Sequence, residues 1–348
     1  MKHHRIRRLQ RMARAVLATS ITFTLGTQLA TGQGTGWTVQ IDPMYMEVFG
    51  HDQHVANITT VTTPTPGTTV ASQEGVDLEM DGDFAIRGQI EYMSNQWGVG
   101  ANGFWFNPEG DVSRTLDRPT AASPLVSVTF PGGFLLPLAG GQRAQARAKN
   151  DLEVWSADFY GIRTLAETPE SHVHMLAGLK IGGIDTDFSA SGEFGNVVGG
   201  VFAPTAIATF TSTSDTGVLV GPLVGVAGDA RFAQHQVKGL LEQSMLFGSV
   251  DLDNQLTVDI DPTKVGDVSI TKFAKSDDVG IPVTEVQAKY LYEVTTNVSL
   301  GLGAFASVWW DAPVAPGVDL TASAAGQGTQ DEDTLVFLGG MASVEVKF

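Results

Sequence analysis

The chain ends D-T-L-V-F-L-G-G-M-A-S-V-E-V-K-F, from Asp333 to Phe348. Every second residue back from the end (Phe348, Val346, Val344, Ala342, Gly340, Leu338, Val336) is apolar or small. The residues between them, Lys347, Glu345, Ser343, Met341 and Gly339, carry the charges of this stretch. Side chains alternate across a strand, so this segment reads as a β-strand with one greasy face and one wet face. An amphipathic strand ending on an aromatic residue is what closes a bacterial outer-membrane barrel, so that fold is expected here.

At the other end, residues 1–32 read as a secretory signal. Lys2, Arg5, Arg7, Arg8, Arg11 and Arg14 form a basic start, Ala15 to Leu29 an apolar middle, and Ala30-Thr31-Gly32 supply small residues for cleavage. Residues 33–348 then form one barrel domain. The leader holds six of the 21 Lys and Arg, which leaves 15 basic against 38 acidic residues. That balance argues against nucleic acid as a partner. There is no cysteine, so disulfides and thiolate metal sites are excluded. No run of about 18 apolar residues follows the leader, so no transmembrane helix is expected.

Nine further stretches read as strands, all but strand six with an alternating pattern; strand six is apolar on both faces and glycine-rich. Strand one, Gly36 to Phe49, points Val39 and Ile41 one way and Gln40 and Asp42 the other. The pattern slips at Pro43, where a bulge is expected because proline donates no ladder hydrogen bond. Strand two, Asp81 to Met93, turns Phe84, Ile86, Ile90 and Tyr92 to lipid, and Asp83, Arg87 and Glu91 inward. Strand three starts at Trp97 and reaches Trp105. Strand four, Leu152 to Leu165, carries Trp155 outward and Asp158 inward, and strand five, from Val173, carries Lys180 inward. Strands six and seven cover Gly217 to Gly228 and Val237 to Val250. Strand eight points Glu285, Lys289 and Glu293 inward, and strand nine runs from Val298 to the pair Trp309-Trp310.

The fold class expected is all-β: a transmembrane antiparallel up-and-down barrel of ten strands. Short turns alternate with long loops at about 50–76, 108–149, 183–214, 251–281 and 311–332, the asymmetry of periplasmic turns and extracellular loops. Leu125 to Leu138, broken by Pro131-Gly132-Gly133, is the alternative hairpin that would make twelve strands. An even count puts both termini in the periplasm, where the barrel-assembly machinery would meet Phe348. Aromatics fall into two girdles, with Trp37, Trp97, Tyr92 and Tyr292 at the periplasmic rim and Trp105, Trp155, Trp309 and Trp310 at the outer rim.

Several short motifs carry a resemblance. They are Gly36-Trp37, Asp151-Leu152-Glu153, Gly221-Pro222-Leu223-Val224-Gly225, Leu246-Phe247-Gly248, Trp309-Trp310 and the final Phe348. On them the chain resembles the pore-forming major outer membrane proteins first described from Legionella, a family also abundant in planctomycetes. Gly221-Pro222 lacks the basic residue expected just after it. The resemblance implies a barrel in the outer membrane of a Gram-negative-type bacterium; it implies no catalytic residue and no cofactor.

The chemistry-bearing residues are mainly the inward charges. Asp83, Arg87, Glu91, Asp158, Lys180, Glu285, Lys289, Glu293 and Glu345 form ladders that either pair into a plug or line a passage. Gly98 to Gly103 matches G-x-G-x-x-G, but inside a strand its glycines serve backbone curvature. His51, Asp52 and His54 fall at the outer end of strand one, where omptin-like acid–base chemistry would sit; they read as solvated loop. His172 and His174 read as plain lumen residues. Asp251, Asp253, Asp259 and Asp261, with Asp331, Glu332 and Asp333, make acidic loops suited to divalent cations, although no EF-hand spacing occurs. The expected role is a structural, non-enzymatic barrel with a narrow charge-lined pore for ions or small solutes. It would sit in membrane lipid and lipopolysaccharide. Surface adhesion through the long loops, or an omptin-like enzyme, are the alternatives.

Overall fold

The computed structural model describes residues 35–50, 53–65, 68–118, 120, 125–130, 134–198, 201–259, 268–314 and 331–348. Among them every regular element is a strand. In chain order these are β1 (Thr35–Phe49), β2 (Gln53–Thr65), β3 (Thr68–Leu78), β4 (Asp83–Ser94), β5 (Trp97–Phe106) and β6 (Glu109–Arg118). Next come β7 (Leu125–Phe130), β8 (Phe134–Pro137), β9 (Gln142–Glu167), β10 (Ser171–Val198) and β11 (Val201–Asp215). The chain finishes with β12 (Leu219–Phe232), β13 (His235–Asp259), β14 (Val268–Glu293), β15 (Val298–Val314) and β16 (Asp331–Lys347).

Ten of these close a ring in the order β1, β4, β5, β9, β10, β12, β13, β14, β15, β16 and back to β1. Every neighbouring pair is antiparallel, and the seam between the first and last strands runs from Thr38 opposite Lys347 to Phe49 opposite Val336. Each strand expected from the sequence is one of these ten. The twelve-strand alternative is corrected: β7 pairs with β2 on one side and β8 on the other in a separate four-stranded sheet, and neither enters the wall. The bulge expected at Pro43 is also corrected. Asp42, Pro43 and Met44 pair with Arg87, Ile86 and Ala85 without interruption. Gln40, Asp42, Met44 and Met46 all point inward, and only the chemistry of the inward residues changes.

That change recurs around the ring at one height. Toward the long-loop end, inward residues turn apolar: Met44 after Asp42 on β1, Val154 before Ser156 on β9, Ile184 after Lys180 on β10, Val283 before Glu285 on β14. Together with Phe104, Phe106, Phe305, Phe337 and Trp309 they fill the outer half of the lumen. Trp309, Phe106 and Phe337 are 0 % exposed. Outside, the pattern reverses. Phe84, Val99, Phe159, Leu179, Val224, Leu302 and Leu338 stand exposed, as hydrocarbon-facing residues should. On β5 this apolar face lies between Trp97 and Trp105, about 27 Å along the strand before tilt.

The expected long loops are corrected next. A membrane strand needs about 9–11 residues, yet β9, β10, β13 and β14 have 26, 28, 25 and 26. Their outer parts continue as a sheet beyond the barrel, with β6 added on β9 and β11 filling the space between β10 and β13. β11 gives way to β12 at Thr216 and Gly217. The Thr216 hydroxyl accepts from Ile184 N at 2.7 Å and donates to Ile184 O at 3.0 Å, and Gly217 adopts a φ of 58°. The inner face of this extension has its own core, where Ala144, Ala146, Ala148, Phe188 and Ala190 pack with Ile58 and Leu78 of the small sheet. Arg143 forks onto Asp117 at 2.5 and 3.1 Å across the β6–β9 pair, and this bond holds the Asp117 carboxyl below its ordinary range.

Trp309 is a further correction. Expected in the outer girdle, it belongs inside, because adjacent residues on a strand face opposite ways: Trp310 is exposed and Trp309 plugs the lumen. Trp309→Ala should therefore lower the unfolding free energy by about 3–5 kcal/mol, read from urea titration in detergent micelles. An unchanged midpoint would contradict the packing described.

Candidate functional site in the barrel lumen

Below the apolar layer lies a layer of buried charge. β10 carries Lys180, whose Nζ stands 2.8 Å from Asp158 on β9, 3.0 Å from Glu242 on β13 and 3.1 Å from Glu285 on β14. Lys180 and Arg87 are each 1 % exposed. A lone ion there would lose its hydration without return, so each needs opposite charge within reach. The three carboxylates have the donor spacing of a metal site. Lys180 occupies its centre, so the resident cation is an ammonium group supplied by the chain.

Arg87 on β4 lies opposite Asp42 on β1 and stacks on the Phe305 ring, 5.4 Å from its centroid. It joins the charge layer to the apolar layer. Glu285, Glu242 and Asp42 all act on its charge. Lys289 Nζ lies 3.0 Å from Asp42 Oδ2. Nearer the short turns, Glu345 pairs with Lys238 and, at 3.3 Å, with Lys347, which also reaches Glu293 at 3.6 Å. Tyr160 and Gln89 donate to Glu91 at 3.0 and 2.8 Å.

The structure thus brings together Arg87, Asp158, Lys180, Glu285 and Lys289 from the expected lumen set. Glu91, Glu293 and Glu345 form smaller pairs closer to the short-turn end. Asp83 is set apart: it is inward but at the outer mouth, where it accepts from the N–H of Phe84 at 2.6 Å. Sequence reading missed Asp42 and Glu242. Asp42 falls on the polar face of strand one but stands alone there as a charge beside the expected bulge, and Glu242 lies in a strand whose alternation is blurred by glycine and serine. A cavity of about 110 Å³ lies under the charge layer, lined among others by Gln40, Gln89, Tyr160, His174, Asp229 and Glu242.

Of the rim residues, Trp37 packs on Tyr92 at 5.0 Å, and Arg163 covers Trp97 at 5.1 Å. Trp105 and Trp155 face each other across β5 and β9. Phe348 is bound through its backbone to Trp37, with N–H···O distances of 2.9 and 3.3 Å. His51 and Asp52 lie outside the described residues, as does the side chain of His54.

The outer rim holds an unexpected feature. On the outward face, Glu153, Asp185, Asp215 and Asp251 stand opposite one another on successive strands. The next row outward reads Glu109, Asp151, Asp187, Thr213 and Asp253. Lys149 bridges Glu109 and Asp151 at 2.9 Å each. Glu153 follows Trp155 by one place on the same face, so the acidic rows begin about 7 Å beyond the upper tryptophans.

A closed antiparallel ring with an apolar exterior and a filled interior defines a transmembrane β-barrel. No family model matches the chain, and no characterised protein sequence matches it. Among solved structures, the outer membrane protease OmpT from Escherichia coli is similar at 13 % identity with a TM-score of 0.46, covering 93 % of this chain and 100 % of that one. An anion-selective porin from Comamonas acidovorans (9 % identity, TM-score 0.20, covering 90 % and 100 %) is a weaker likeness. So is a FadL homologue from Pseudomonas aeruginosa (7 % identity, TM-score 0.21, covering 91 % and 90 %).

Lys180→Met leaves three carboxylates crowded without their cation. It should cost about 3–5 kcal/mol, measured by urea unfolding in micelles. Stability equal to wild type would mean that the ion cluster does not hold the barrel interior.

Proposed function

We propose that the protein is a bacterial outer-membrane barrel with a sealed lumen, acting through the sheet it raises above the membrane. The observation that carries this reading is the apolar layer across the outer half of the lumen, where Trp309, Phe106 and Phe337 have no exposure. A ten-stranded interior is only slightly wider than one that side chains fill, so such a layer leaves no water column. The extension, by contrast, has its own core and offers a stiff surface for interaction. The role is proposed as non-enzymatic. The histidines with described side chains, His172, His174 and His235, all lie at the short-turn end, away from the rim where omptin-like chemistry would sit.

The acidic rows support a lipid partner. Like charges directly opposite on neighbouring strands repel, and divalent cations would relieve this while bridging to the phosphates of lipopolysaccharide. The proposed setting therefore has hydrocarbon around the apolar belt, lipopolysaccharide at the acidic rows, and assembly machinery meeting Phe348. The family suggested by the short motifs, and its pore, supply a second reading. The buried charge layer and the cavity beneath it favour a narrow passage, provided that Trp309 and Phe337 move aside.

Planar-bilayer recording of the purified full chain separates the two. Heat-modifiable gel migration serves as the proof of folding. A sealed barrel gives a silent bilayer, and Phe337→Gly introduces discrete steps. Discrete cation-preferring steps from the unmodified protein would overturn the sealed reading in favour of the pore.

A further inference from the structure

We propose that His172, His174 and Asp229 form a divalent transition-metal site, suited to zinc, at the short-turn mouth of the barrel. His172 and His174 are two residues apart on β10, so both rings share the lumen face. Asp229 on β12 stands directly opposite His172. Its Oδ1 lies 3.4 Å from His172 Nδ1 and 4.0 Å from His174 Nε2. Two ligands on one tetrahedral zinc, each about 2.0–2.1 Å from it, are about 3.3 Å apart. The first separation already has that value. The separation between the two histidine nitrogens is wider than 4.8 Å, so binding requires the His174 ring, nearly parallel to that of His172 at 9° with centroids 6.0 Å apart, to tilt toward it.

The atoms turned away from that point are what distinguish this group from a chance histidine pair. Metal-bound histidines almost always rest their second nitrogen on another polar group, which fixes tautomer and ring orientation. Here Glu167 Oε1 lies 3.6 Å from His172 Nε2. The Thr164 hydroxyl lies 3.2 Å from His174 Nδ1, and Gln236 Nε2 donates to Asp229 Oδ2 at 3.0 Å. All three candidate ligands are thus backed from behind by a different residue. With Nδ1–H donated to Thr164, His174 presents the lone pair of Nε2 toward Asp229. His174 and Asp229 also line the lumen cavity, so the remaining metal position opens onto solvent space. In the carboxylate cluster around Lys180 the central position is already taken by the ammonium group.

Two nitrogens and one carboxylate oxygen form the donor set of an open zinc site. Bound there, the ion would clasp β10 to β12 beside the turns that join β9 to β10 and β12 to β13. The test is calorimetric titration of zinc chloride into the folded full chain in micelles, without an affinity tag. One zinc per chain is expected. Asp229→Asn, which keeps the shape of the side chain, should weaken binding at least tenfold, as should His174→Ala. Thr164→Val should weaken it several-fold with unaltered heat-modifiable migration. Zinc affinity in Asp229→Asn equal to that of the unmodified chain would overturn the assignment, because His3, His4 and other ligands would then account for the heat. Absence of binding at millimolar zinc would overturn it as well.

Discussion

The seam between β1 and β16 is the constraint on which everything else rests. In hydrocarbon no water is present to satisfy a backbone N–H or C=O, so an open sheet edge is untenable and only a closed ladder survives. Pairing Thr38 with Lys347 and Val39 with Val346 joins the two ends of a ten-strand sheet and fixes the parity of every residue around it. A slip of β1 by one residue would turn Gln40, Asp42 and Met44 into lipid and bring Ile41 and Tyr45 into the lumen. Pro43 sits in this seam without breaking register: the ladder to β16 skips Asp42 and Pro43 and resumes at Met44 opposite Met341.

Parity once fixed, the interior divides by chemistry. Ten strands leave a space that side chains fill, and they fill it in two layers. The apolar layer packs as a soluble core does, with Phe106 against Phe337 and Phe104 against Phe305 at ring distances of 5.8 and 5.5 Å. By excluding water it raises the stakes for the charges beneath, because a low dielectric strengthens each pairing and penalises each orphan. Lys180 with three carboxylates and Lys289 with Asp42 answer that demand. Arg87 answers it only in part: its guanidinium lies over Phe305 and within the field of Glu285, Glu242 and Asp42, but its nitrogens have no hydrogen-bond partner among the described residues.

The wall was legible in the sequence because membrane strands must alternate apolar and polar residues, and Phe84 to Tyr92 or Val336 to Phe348 do so plainly. The extension was not legible for the converse reason. Beyond the membrane both faces of a strand tolerate polar residues, so the Gly-, Ser- and Thr-rich run from Gly183 to Ser214 looks like loop although it forms β10 and β11. The two-residue periodicity was still present there in acid form: Asp151 with Glu153, Asp185 with Asp187, and Asp251 with Asp253 are each spaced to share a face. Their assembly into rows depends on register, which no local pattern reveals. The same holds for His172, His174 and Asp229, whose meeting requires β10 and β12 to be neighbours despite the β11 hairpin between them in the chain. Trp309 was misplaced for a simpler reason, since two adjacent aromatics cannot both belong to one girdle.

The continuation of β9, β10, β13 and β14 past the acidic rows has a mechanical meaning. From Asp185 to Val198, β10 climbs about 40 Å along its own direction, braced by hydrogen-bonded neighbours for its whole length. A loop of the same size would fluctuate in reach; a laminated sheet holds its tip at a set height. The wall thus becomes a mast, rooted by the barrel and stiff along its length. Its load would be felt at the root, where Thr216 grips Ile184 and the sheet passes from six strands abreast to the closed ring.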